Sequence, residues 1–404
     1  MRAAFVNSII GTGSTGRIVY QLSKIPGVQG RIYYGRKENH TDADAFRVTK
    51  FMGNAEHAVF TFLSDRQGFC NTEETERMVE NLKAFRPDLI HLHNLHGYYL
   101  NVEVLFHYLK TIDTPVIWTM HDCWAFTGHC AHFQYVGCDR WKTECAHCPG
   151  LSQYPVTWNG AHVTRNYEQK KALFNSLKPG QMTIVTPSIW LREQVKQSFL
   201  KDQRIIQISN GIDLACFHPE TSAFRSSHSM EGDFVMLAVA NPWTREKGLA
   251  DLQKLAGMLK QNQKLIIVGT TKKQASLFHD LPQVLCIPHT ESVQELVQIY
   301  SAADVLLNTT YQDTFPTVNI EAQACGCPVI TYQTGGSTEM LTKKTGIVVE
   351  RGNPDALNDA VQALASGKIV LKRSDCMIHA QRYSKDAMLG AYRSLYIERT
   401  GLPL

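Results

Sequence analysis

Short apolar runs rich in β-branched residues alternate with helix-length amphipathic patterns along the whole chain. A first series predicts strands over residues 2–7, 31–34, 88–93, 115–120, 183–186 and 204–208. A second series predicts strands over residues 234–240, 264–268, 284–287, 304–308, 328–331 and 346–349. Helical patterns lie between them, for example over residues 72–84, 188–198, 247–260, 292–302 and 354–365. Strands that are apolar on both faces and alternate with helices are typical of parallel α/β sheets, so each series predicts one doubly wound domain.

The boundary between these domains is expected within residues 209–229, where turn-forming residues and a Ser/Thr-rich stretch interrupt the pattern. We therefore expect an N-terminal domain over residues 1–210 and a C-terminal domain over residues 211–383. A last helical pattern, over residues 384–404, is expected to pack back on the N-terminal domain.

The composition agrees with a protein of two or three domains, each with its own core. The chain has 404 residues, with 41 Lys or Arg against 37 Asp or Glu, a formal net charge of +4. Its longest uninterrupted apolar run, residues 234–240, is far shorter than the ~20 residues that span a bilayer. The N-terminus lacks the apolar stretch of a secretory signal and predicts a first strand, so we expect a cytoplasmic protein. Nucleic acid is not an expected partner, because the excess charge is small and no recognition motif accompanies it.

A loop with candidate chemistry follows the predicted strand over residues 304–308. It contains Asp313 and, seven intervening residues later, Glu321; Pro316 fits the start of a helix that places Glu321 about one turn inside. Loops at the carboxyl ends of parallel strands are where such sheets bind ligands, and a helix N-terminus there favours an anion such as a diphosphate. An ordinary strand-to-helix loop with solvated acids has the same features, so this loop alone leaves both interpretations open.

The two acids, followed by Ala-x-Ala-x-Gly-x-Pro-Val, resemble the acidic motif of family 4 glycosyltransferases, which are retaining enzymes that use nucleotide sugars. Further segments resemble that family in the same order along the chain: Gly11-Thr-Gly-Ser-Thr-Gly16, Thr119-Met-His121-Asp122, Thr186-Pro-Ser188, Ile208-Ser-Asn-Gly-Ile-Asp213, Lys247-Gly248 and Thr334-Gly-Gly-Ser-Thr-Glu339. The resemblance implies the GT-B fold, in which two Rossmann-like domains face each other across a cleft.

The resemblance also implies roles for individual residues. Glu321 is expected to bind the ribose hydroxyls of the nucleotide, and Asp313 to bond the donor sugar, although Glu is the family's commoner residue at that first position. His121 is expected to hydrogen-bond to the transferred sugar, with a partly buried structural histidine as the alternative. Further donor contacts are expected from Gly13, Gly16, Phe315, Pro316, Thr317 and Gly336, with backbone N–H groups near Thr317 and Gly336 as donors of hydrogen bonds.

The charge that develops on a nucleoside diphosphate leaving group must be stabilised by fixed cations, N–H groups or a metal. Lys247 and Arg245 are the candidate cations, although the family usually has Arg where this chain has Pro242. An exposed basic turn at a helix start is the alternative interpretation of Arg245. The resemblance implies chemistry without a catalytic metal.

The spacing Gly11-x-Gly13-x-x-Gly16 also matches the dinucleotide fingerprint, and Glu38 lies 22 residues beyond Gly16. A nicotinamide site would need a tight turn, whereas residues 8–12 separate the predicted strand from the second glycine. We therefore favour what the family resemblance implies, namely that this loop approaches the donor phosphates from the opposite domain.

Several histidines follow the strand predicted over residues 88–93. His91, His93 and His96 could form a metal cluster, but strand packing or contact with the acceptor is the better interpretation, because residues two apart on a strand need not converge. His93, His96 and Tyr99 are accordingly the candidate acceptor residues.

Four cysteines are clustered within an insertion at about residues 121–150: Cys130, Cys138, Cys145 and Cys148. Four thiolates with one Cys-x-x-Cys pair suit a tetrahedral structural zinc ion, although the first two spacings are wider than in common zinc fingers. Disulfides, free structural thiols and an iron–sulfur cluster remain alternatives. The insertion resembles one found in family members linked to bacterial surface polysaccharides.

Two charged features are weaker signals. Asp42-Ala-Asp44 matches the metal-binding triplet of the other major glycosyltransferase fold, but its predicted place in a polar loop favours chance. Residues 160–204 contain eight Lys or Arg and three Asp or Glu, which is either a solvated face or a contact with the inner face of an anionic membrane that bears a lipid-linked acceptor.

The resulting hypothesis is a retaining glycosyltransferase that moves a sugar from a nucleoside diphosphate sugar to a hydroxyl of a glycan, free or lipid-linked, in bacterial exopolysaccharide, capsule or O-antigen (lipopolysaccharide) synthesis. A nucleotide-sugar epimerase or hydrolase on the same fold, and a non-catalytic binding module that contains zinc, are the alternatives.

Overall fold

The computed structural model describes residues 1–39 and 42–404 and contains two compact units. Unit 1 comprises residues 1–210 and 388–404, and unit 2 comprises residues 211–387. The division falls after Asn210, which is the boundary expected from the sequence. The return to unit 1 falls within the terminal helix, so residues 384–387 belong to unit 2 instead of unit 1.

Unit 1 is built on a seven-stranded parallel sheet with the order β3-β2-β1-β4-β5-β6-β7. Its strands are β1 (Arg2–Ile9), β2 (Gln29–Lys37), β3 (Asp44–Arg47), β4 (Leu89–Leu92), β5 (Val116–Thr119), β6 (Met182–Thr186) and β7 (Arg204–Gln207). Its helices are α1 (Gly13–Ser23), α2 (Phe51–Ser64), α3 (Thr72–Phe85), α4 (Val102–Leu109), α5 (Val163–Phe174) and α6 (Ile189–Val195). All residues of β4, β5 and β6 are buried, as in a sheet covered on both faces.

Unit 2 is built on a six-stranded parallel sheet with the order β10-β9-β8-β11-β12-β13. Its strands are β8 (Phe234–Val239), β9 (Gln263–Val268), β10 (Val284–Ile287), β11 (Val305–Asn308), β12 (Val329–Tyr332) and β13 (Gly346–Val349). Its helices are α7 (Phe224–Ser227), α8 (Leu249–Ala256), α9 (Lys272–Ala275), α10 (Val293–Ala302), α11 (Val318–Ala324), α12 (Pro354–Ala365) and α13 (Arg373–Ala380). The two parallel sheets with flanking helices confirm the predicted α/β class.

Strand β3 is the one strand that the sequence pattern missed. It lies at the sheet edge, and its four residues are exposed or half-buried, with Asp44 and Arg47 at its ends. Such a strand shows no apolar run. Asp44 therefore lies in a strand and not in the predicted loop. It forms an ion pair with Arg31 at 3.0 Å, and Asp42 forms one with Lys24 at 2.8 Å.

The C-terminal helix α14 (Lys385–Thr400) packs against the sheet of unit 1. The hydroxyl of Tyr396 lies 2.7 Å from Nδ1 of the fully buried His91, and the hydroxyl of Tyr392 lies 2.9 Å from Oγ1 of Thr119. Thr119 Oγ1 in turn lies 2.8 Å from His91 Nε2. Both ring nitrogens of His91 are thus hydrogen-bonded inside the core, which satisfies a buried polar group that would otherwise be destabilising.

Within the described residues, none of the helices is both long and apolar enough to pass through a bilayer.

We expect Tyr396→Phe to destabilise unit 1 by about 1–3 kcal/mol, because it leaves His91 Nδ1 buried without its partner. Tyr108→Phe, which changes a partly buried tyrosine packed against the other hydrophobic cluster of unit 1, is the control and should change stability by less than about 0.5 kcal/mol. Urea unfolding followed by tryptophan fluorescence reports mainly on unit 1, which contains five of the six tryptophans. Equal midpoints for the two variants would contradict this role of the Tyr396 hydroxyl.

Candidate active site

Both sheets have a point at which the strand order reverses, between β1 and β4 in unit 1 and between β8 and β11 in unit 2. In open parallel sheets, ligands bind outside the carboxyl ends of the strands at such a point. The predicted site residues of each unit follow these strands or their neighbours. The two halves of the candidate site are described separately below.

In unit 2, the loops after β8 and β11 meet through an ion pair. Lys247 Nζ, in the short 3-10 turn Arg245–Lys247, lies 2.8 Å from Oδ2 of Asp313. The second oxygen of Asp313 accepts a hydrogen bond from the backbone N–H of Phe315 at 3.0 Å. Both groups remain partly exposed. The reversal point of this sheet therefore carries a fixed cation next to an oriented carboxylate.

A close backbone approach holds these two loops together. Gly248 has φ +77°, and a Cβ atom there would lie 2.2 Å from the carbonyl oxygen of Thr309. The Thr309 hydroxyl donates to the carbonyl of Lys247 at 2.9 Å, and the N–H of Tyr311 donates to that of Glu246 at 2.7 Å. The pair Lys247-Gly248 thus combines a charged side chain with the residue that lets its loop approach β11.

Glu321 lies in the first turn of α11 and is largely buried. Its Oε2 accepts a hydrogen bond from the hydroxyl of Tyr300 at 3.1 Å, and burial together with the Glu321 charge raises the pKa of Tyr300 well above its usual value. Tyr300 fixes the carboxylate and was not identified from the sequence, since it lies on a different helix, α10. The helix itself begins at Val318, so Pro316 precedes it and is not its first residue.

The other predicted donor residues of unit 2 occupy different environments. Phe315 is buried and packs near the ring of Tyr383. The N–H of Gly336 donates to the carbonyl of Asp313 at 3.1 Å, and the donor contact expected near Gly336 stays a prediction. Thr317 lies at the N-cap position of α11, and Arg245 is exposed in the same turn as Lys247.

In unit 1, the glycine-rich loop is tighter than the sequence suggested. Strand β1 continues to Ile9 and α1 begins at Gly13, so three residues separate them. Gly13 has φ +63°, and a Cβ atom on Gly16 would lie 3.1 Å from the backbone nitrogen of Gly11. The loop length therefore does not argue against a dinucleotide. Glu38, the acid of the dinucleotide fingerprint, accepts a hydrogen bond from the hydroxyl of Tyr34 at 2.5 Å.

His121 follows β5 and contacts a second histidine, His93. The two rings are stacked, with His93 Nδ1 3.0 Å from His121 Nε2. Burial lowers the pKa of His121 to about 4 and lowers the pKa values of His93 and His91 well below the usual range. All three imidazoles are therefore neutral at neutral pH, and the shared hydrogen bond orients the ring of His121.

The predicted acceptor residues are less accessible than expected. Tyr99 is fully buried, and its hydroxyl donates to the carbonyl of Asn94 at 2.9 Å. His93 is also buried and contacts His121, so the structure does not support acceptor contacts by either side chain. His96 lies 2.6 Å from Asp122 through Nε2 and 3.2 Å from the hydroxyl of Tyr154 through Nδ1. Burial opposes the charge of Asp122, but the nearby histidines and its hydrogen bonds bring the pKa of Asp122 to about 2.

The four clustered cysteines line a single cavity of about 10 Å³, together with His129 and Trp141. None of the four forms a disulfide. Burial raises the pKa of Cys145 to about 12 and also raises those of Cys130 and Cys148. Among residues 1–39 and 42–404, no three His, Cys, Asp or Glu side chains have the arrangement of a formed metal centre.

Comparison with known protein families accounts for most of the chain. Residues 42–215 match the family model described as Glycosyltransferase Family 4, and residues 220–383 match the one described as Glycosyl transferases group 1. The chain belongs to glycosyltransferase family 4. This membership confirms the family identified from the acidic motif and the order of the other segments.

Individual relatives agree with this membership. The glycosyltransferase is 27% identical over 299 residues to an Escherichia coli K12 protein named as the colanic acid biosynthesis glycosyl transferase WcaC, across 71% of this chain and 69% of that one. It is 26% identical over 168 residues to the capsular polysaccharide biosynthesis glycosyltransferase CapM of Staphylococcus aureus, across 39% and 43% of the two chains. Its fold is similar to that of HepE of Anabaena, solved in complex with UDP, with a TM-score of 0.69, 15% identity and coverage of 98% and 100%.

Gly248→Ala should destabilise unit 2 of the glycosyltransferase by more than about 1 kcal/mol, because the new Cβ would meet Thr309 and the backbone has a positive φ. Gly257→Ala is the matched control, since its Cβ would lie 3.5 Å from its nearest neighbour and its φ is −70°. Thermal unfolding of both variants tests the difference. A Gly248→Ala protein as stable as Gly257→Ala would mean that the two loops can separate without cost.

Proposed function

We propose that this glycosyltransferase moves a sugar, with retention of anomeric configuration, from a nucleoside diphosphate sugar to a hydroxyl of a glycan, free or lipid-linked, in the synthesis of a bacterial surface polysaccharide. The Lys247–Asp313 pair at the reversal point of the second sheet is the observation that carries the proposal. The names of the WcaC and CapM relatives and the UDP complex of HepE support the polysaccharide and the nucleotide donor.

Unit 2 is proposed to bind the donor. Glu321, held by Tyr300, would accept hydrogen bonds from the ribose hydroxyls, and Asp313 would accept one from a hydroxyl of the donor sugar. Lys247 would lie against the diphosphate, where a positive charge stabilises the negative charge that develops in the transition state. No catalytic metal is part of this proposal.

The proposed transfer conserves all atoms. The bond between the anomeric carbon and the diphosphate oxygen breaks, and its electron pair leaves with the nucleoside diphosphate. The acceptor oxygen then bonds to the anomeric carbon on the same face, and its proton moves to the departing phosphate oxygen. Retention follows because the attack and the departure use one face of the sugar.

Unit 1 is proposed to bind the sugar and the acceptor. His121, neutral and oriented by His93, would hydrogen-bond to the transferred sugar. His96 and its partner Asp122 would lie nearer the acceptor. A lipid-linked acceptor would bring the protein to the inner face of the cell membrane, where the excess of basic residues in 160–204 would favour anionic lipid.

Glu321→Ala, Asp313→Asn and Lys247→Ala should each lower kcat/KM for sugar transfer by at least about 100-fold. The assay supplies UDP-, GDP- and TDP-sugars with a glycan acceptor and determines the anomeric configuration of the product by NMR. Asp280→Asn, which changes a fully exposed carboxylate of the same unit, is the control and should retain activity. Circular dichroism verifies that each variant is folded.

Other products would overturn the proposal in distinct ways. A free sugar or an isomerised nucleotide sugar, without transfer, would identify a hydrolase or an epimerase. Inversion at the anomeric carbon would reject the retaining step. Unchanged turnover in Glu321→Ala would reject the assignment of the donor site, and failure of every nucleotide sugar to bind or react would favour a non-catalytic binding module.

We also propose that Cys130, Cys138, Cys145 and Cys148 bind one structural zinc ion. The four thiols share one cavity about as large as a single water molecule, and the N–H of Gly150 donates to Sγ of Cys148 at 3.4 Å, a hydrogen bond that favours a thiolate. Since no such group is formed among the described residues, the thiols would have to move together to complete a tetrahedral Cys₄ set. Because burial raises the pKa values of Cys130, Cys145 and Cys148, zinc would have to displace their protons, and its affinity should fall in acid.

Protein purified without chelator should contain about one zinc atom per chain by elemental analysis. Cys138→Ser and Cys148→Ser should lose this zinc, whereas Cys70→Ser, which changes a partly buried thiol outside the cluster, should keep it. Iron in place of zinc, or no metal together with disulfides or unmodified thiols by mass spectrometry, would reject the zinc proposal and leave the transfer chemistry untouched.

A further inference from the structure

Helix α2 of unit 1 exposes its apolar side chains. Six of its fourteen residues are large, apolar and between 47% and 76% exposed. They recur at the spacing of one helix face and consist of Phe51, Met52, Val59, Phe60, Phe62 and Leu63. Glu56 is the single charged residue within the helix. Single exposed apolar residues are ordinary, but a continuous apolar stripe marks a surface for interaction.

The opposite face of α2 is polar and attaches the helix to unit 1. His57 and Thr61 are its buried residues. His57 contacts Asn71 through Nδ1, and its Nε2 accepts a hydrogen bond from the N–H of Gly68 at 3.1 Å. Asn54 donates to the carbonyl of Tyr98 at 2.8 Å. A surface helix of a globular domain normally buries its apolar stripe. Here hydrogen bonds hold the polar face, and the apolar face points outward.

A neighbouring segment extends this surface. The N–H of Trp158 and the hydroxyl of Thr157 donate to the carbonyl of Phe62, at 3.2 and 2.9 Å. Trp158 is 66% exposed, and Val156 is exposed as well. The apolar surface therefore consists of the outward side of α2 together with Val156 and Trp158, and we refer to it as the α2 face.

Basic residues lie at both ends of the α2 face. Exposed Lys50 precedes the first turn. Arg66 follows the last turn; it is half-buried and donates hydrogen bonds to Asn166 and Gln169. Burial, and after it the charge of nearby Arg165, lower the pKa of Arg66, and Arg165 is the exposed cation at this end. The acids at this surface are Glu56 and, near Gly53, Glu74. An apolar and aromatic stripe with flanking cations is the composition of a helix that lies in the interface of a membrane.

We propose that the α2 face inserts into the boundary between headgroups and acyl chains of an anionic phospholipid bilayer. The helix would lie parallel to the membrane and bury its apolar side chains by about 5–10 Å. Lys50 and Arg165, which are exposed, would contact the anionic headgroups. The exposure of α2 is independent of the proposed function. The choice of a membrane over a second apolar partner does rest on the proposed function, since a lipid-linked acceptor lies in such a surface.

Sedimentation of the full-length protein with vesicles tests this proposal. The vesicles contain phosphatidylcholine with about one third phosphatidylglycerol, and phosphatidylcholine alone serves for comparison. The triple variant Phe51→Ser/Phe60→Ser/Leu63→Ser should lower the partition coefficient at least about tenfold. The matched control Leu277→Ser/Val348→Ser/Ile378→Ser removes three exposed apolar side chains of unit 2 and should bind as the unaltered protein does.

Fluorescence gives a second and local readout. Brominated lipids should quench Trp158, which is exposed at the α2 face, and the quenching should disappear in Trp158→Phe. Transfer to a water-soluble glycan acceptor should be the same in the triple variant and the control, because α2 holds none of the proposed site residues. Vesicle binding without sugar transfer would reject the proposed function and leave the membrane proposal standing.

Transfer without vesicle binding, or equal binding of the triple variant and its control, would overturn the membrane proposal. Sedimentation velocity tests the other candidate partner of the α2 face, a second copy of the chain. A dimer that the triple variant dissociates, in a protein that does not bind vesicles, would assign the α2 face to a second copy of the chain instead.

Discussion

The contact between Gly248 and Thr309 is the constraint on which the organisation of the candidate site in unit 2 depends. It joins the loop after β8 to the loop after β11, the two strands between which the sheet order reverses. Lys247 and Asp313 meet because the backbones behind them are already in contact. Any Cβ at position 248 would separate the loops and with them the two charges. The acidic motif and the Lys-Gly pair are therefore one structural unit, although 66 residues separate Lys247 from Asp313.

Buried hydrogen bonds hold the candidate site residues of unit 1, whereas a backbone contact holds those of unit 2. Tyr396 and Thr119 hold His91, and the ring of His91 stacks beside that of His93 with 4.1 Å between centroids. His93 in turn bonds His121. The terminal helix is thus connected through three side chains to the residue expected at the transferred sugar. A substitution at Tyr396 could alter the orientation of His121 without touching any ligand.

The sequence predicted the strands and motifs that local residue patterns encode. All six strands of unit 2 and six of the seven in unit 1 appear as apolar runs, and the family follows from motifs whose spacing is fixed by single loops. It did not predict what depends on packing. Strand β3 has no apolar run because it lies at an edge, and Tyr300 has no local signal because it reaches Glu321 from another helix. Tyr99 belongs to the core, although its place after β4 suggested the ligand edge.

Helix α2 illustrates the same limit in another form. Its sequence contains six large apolar residues, three of them phenylalanines, among small and polar ones, a composition that fits a helix packed on a core equally well. Periodicity places those side chains on one face but does not determine which face turns inward. In this protein that is decided by hydrogen bonds in which His57 accepts from the N–H of Gly68 and Asn54 donates to the carbonyl of Tyr98. Residues 160–204, which carry an excess of basic side chains, include helix α5. Arg165 on that helix is one of the cations that border the α2 face. Electrostatic attraction and apolar burial then act at one surface, and the apolar term determines which part of the protein enters the lipid.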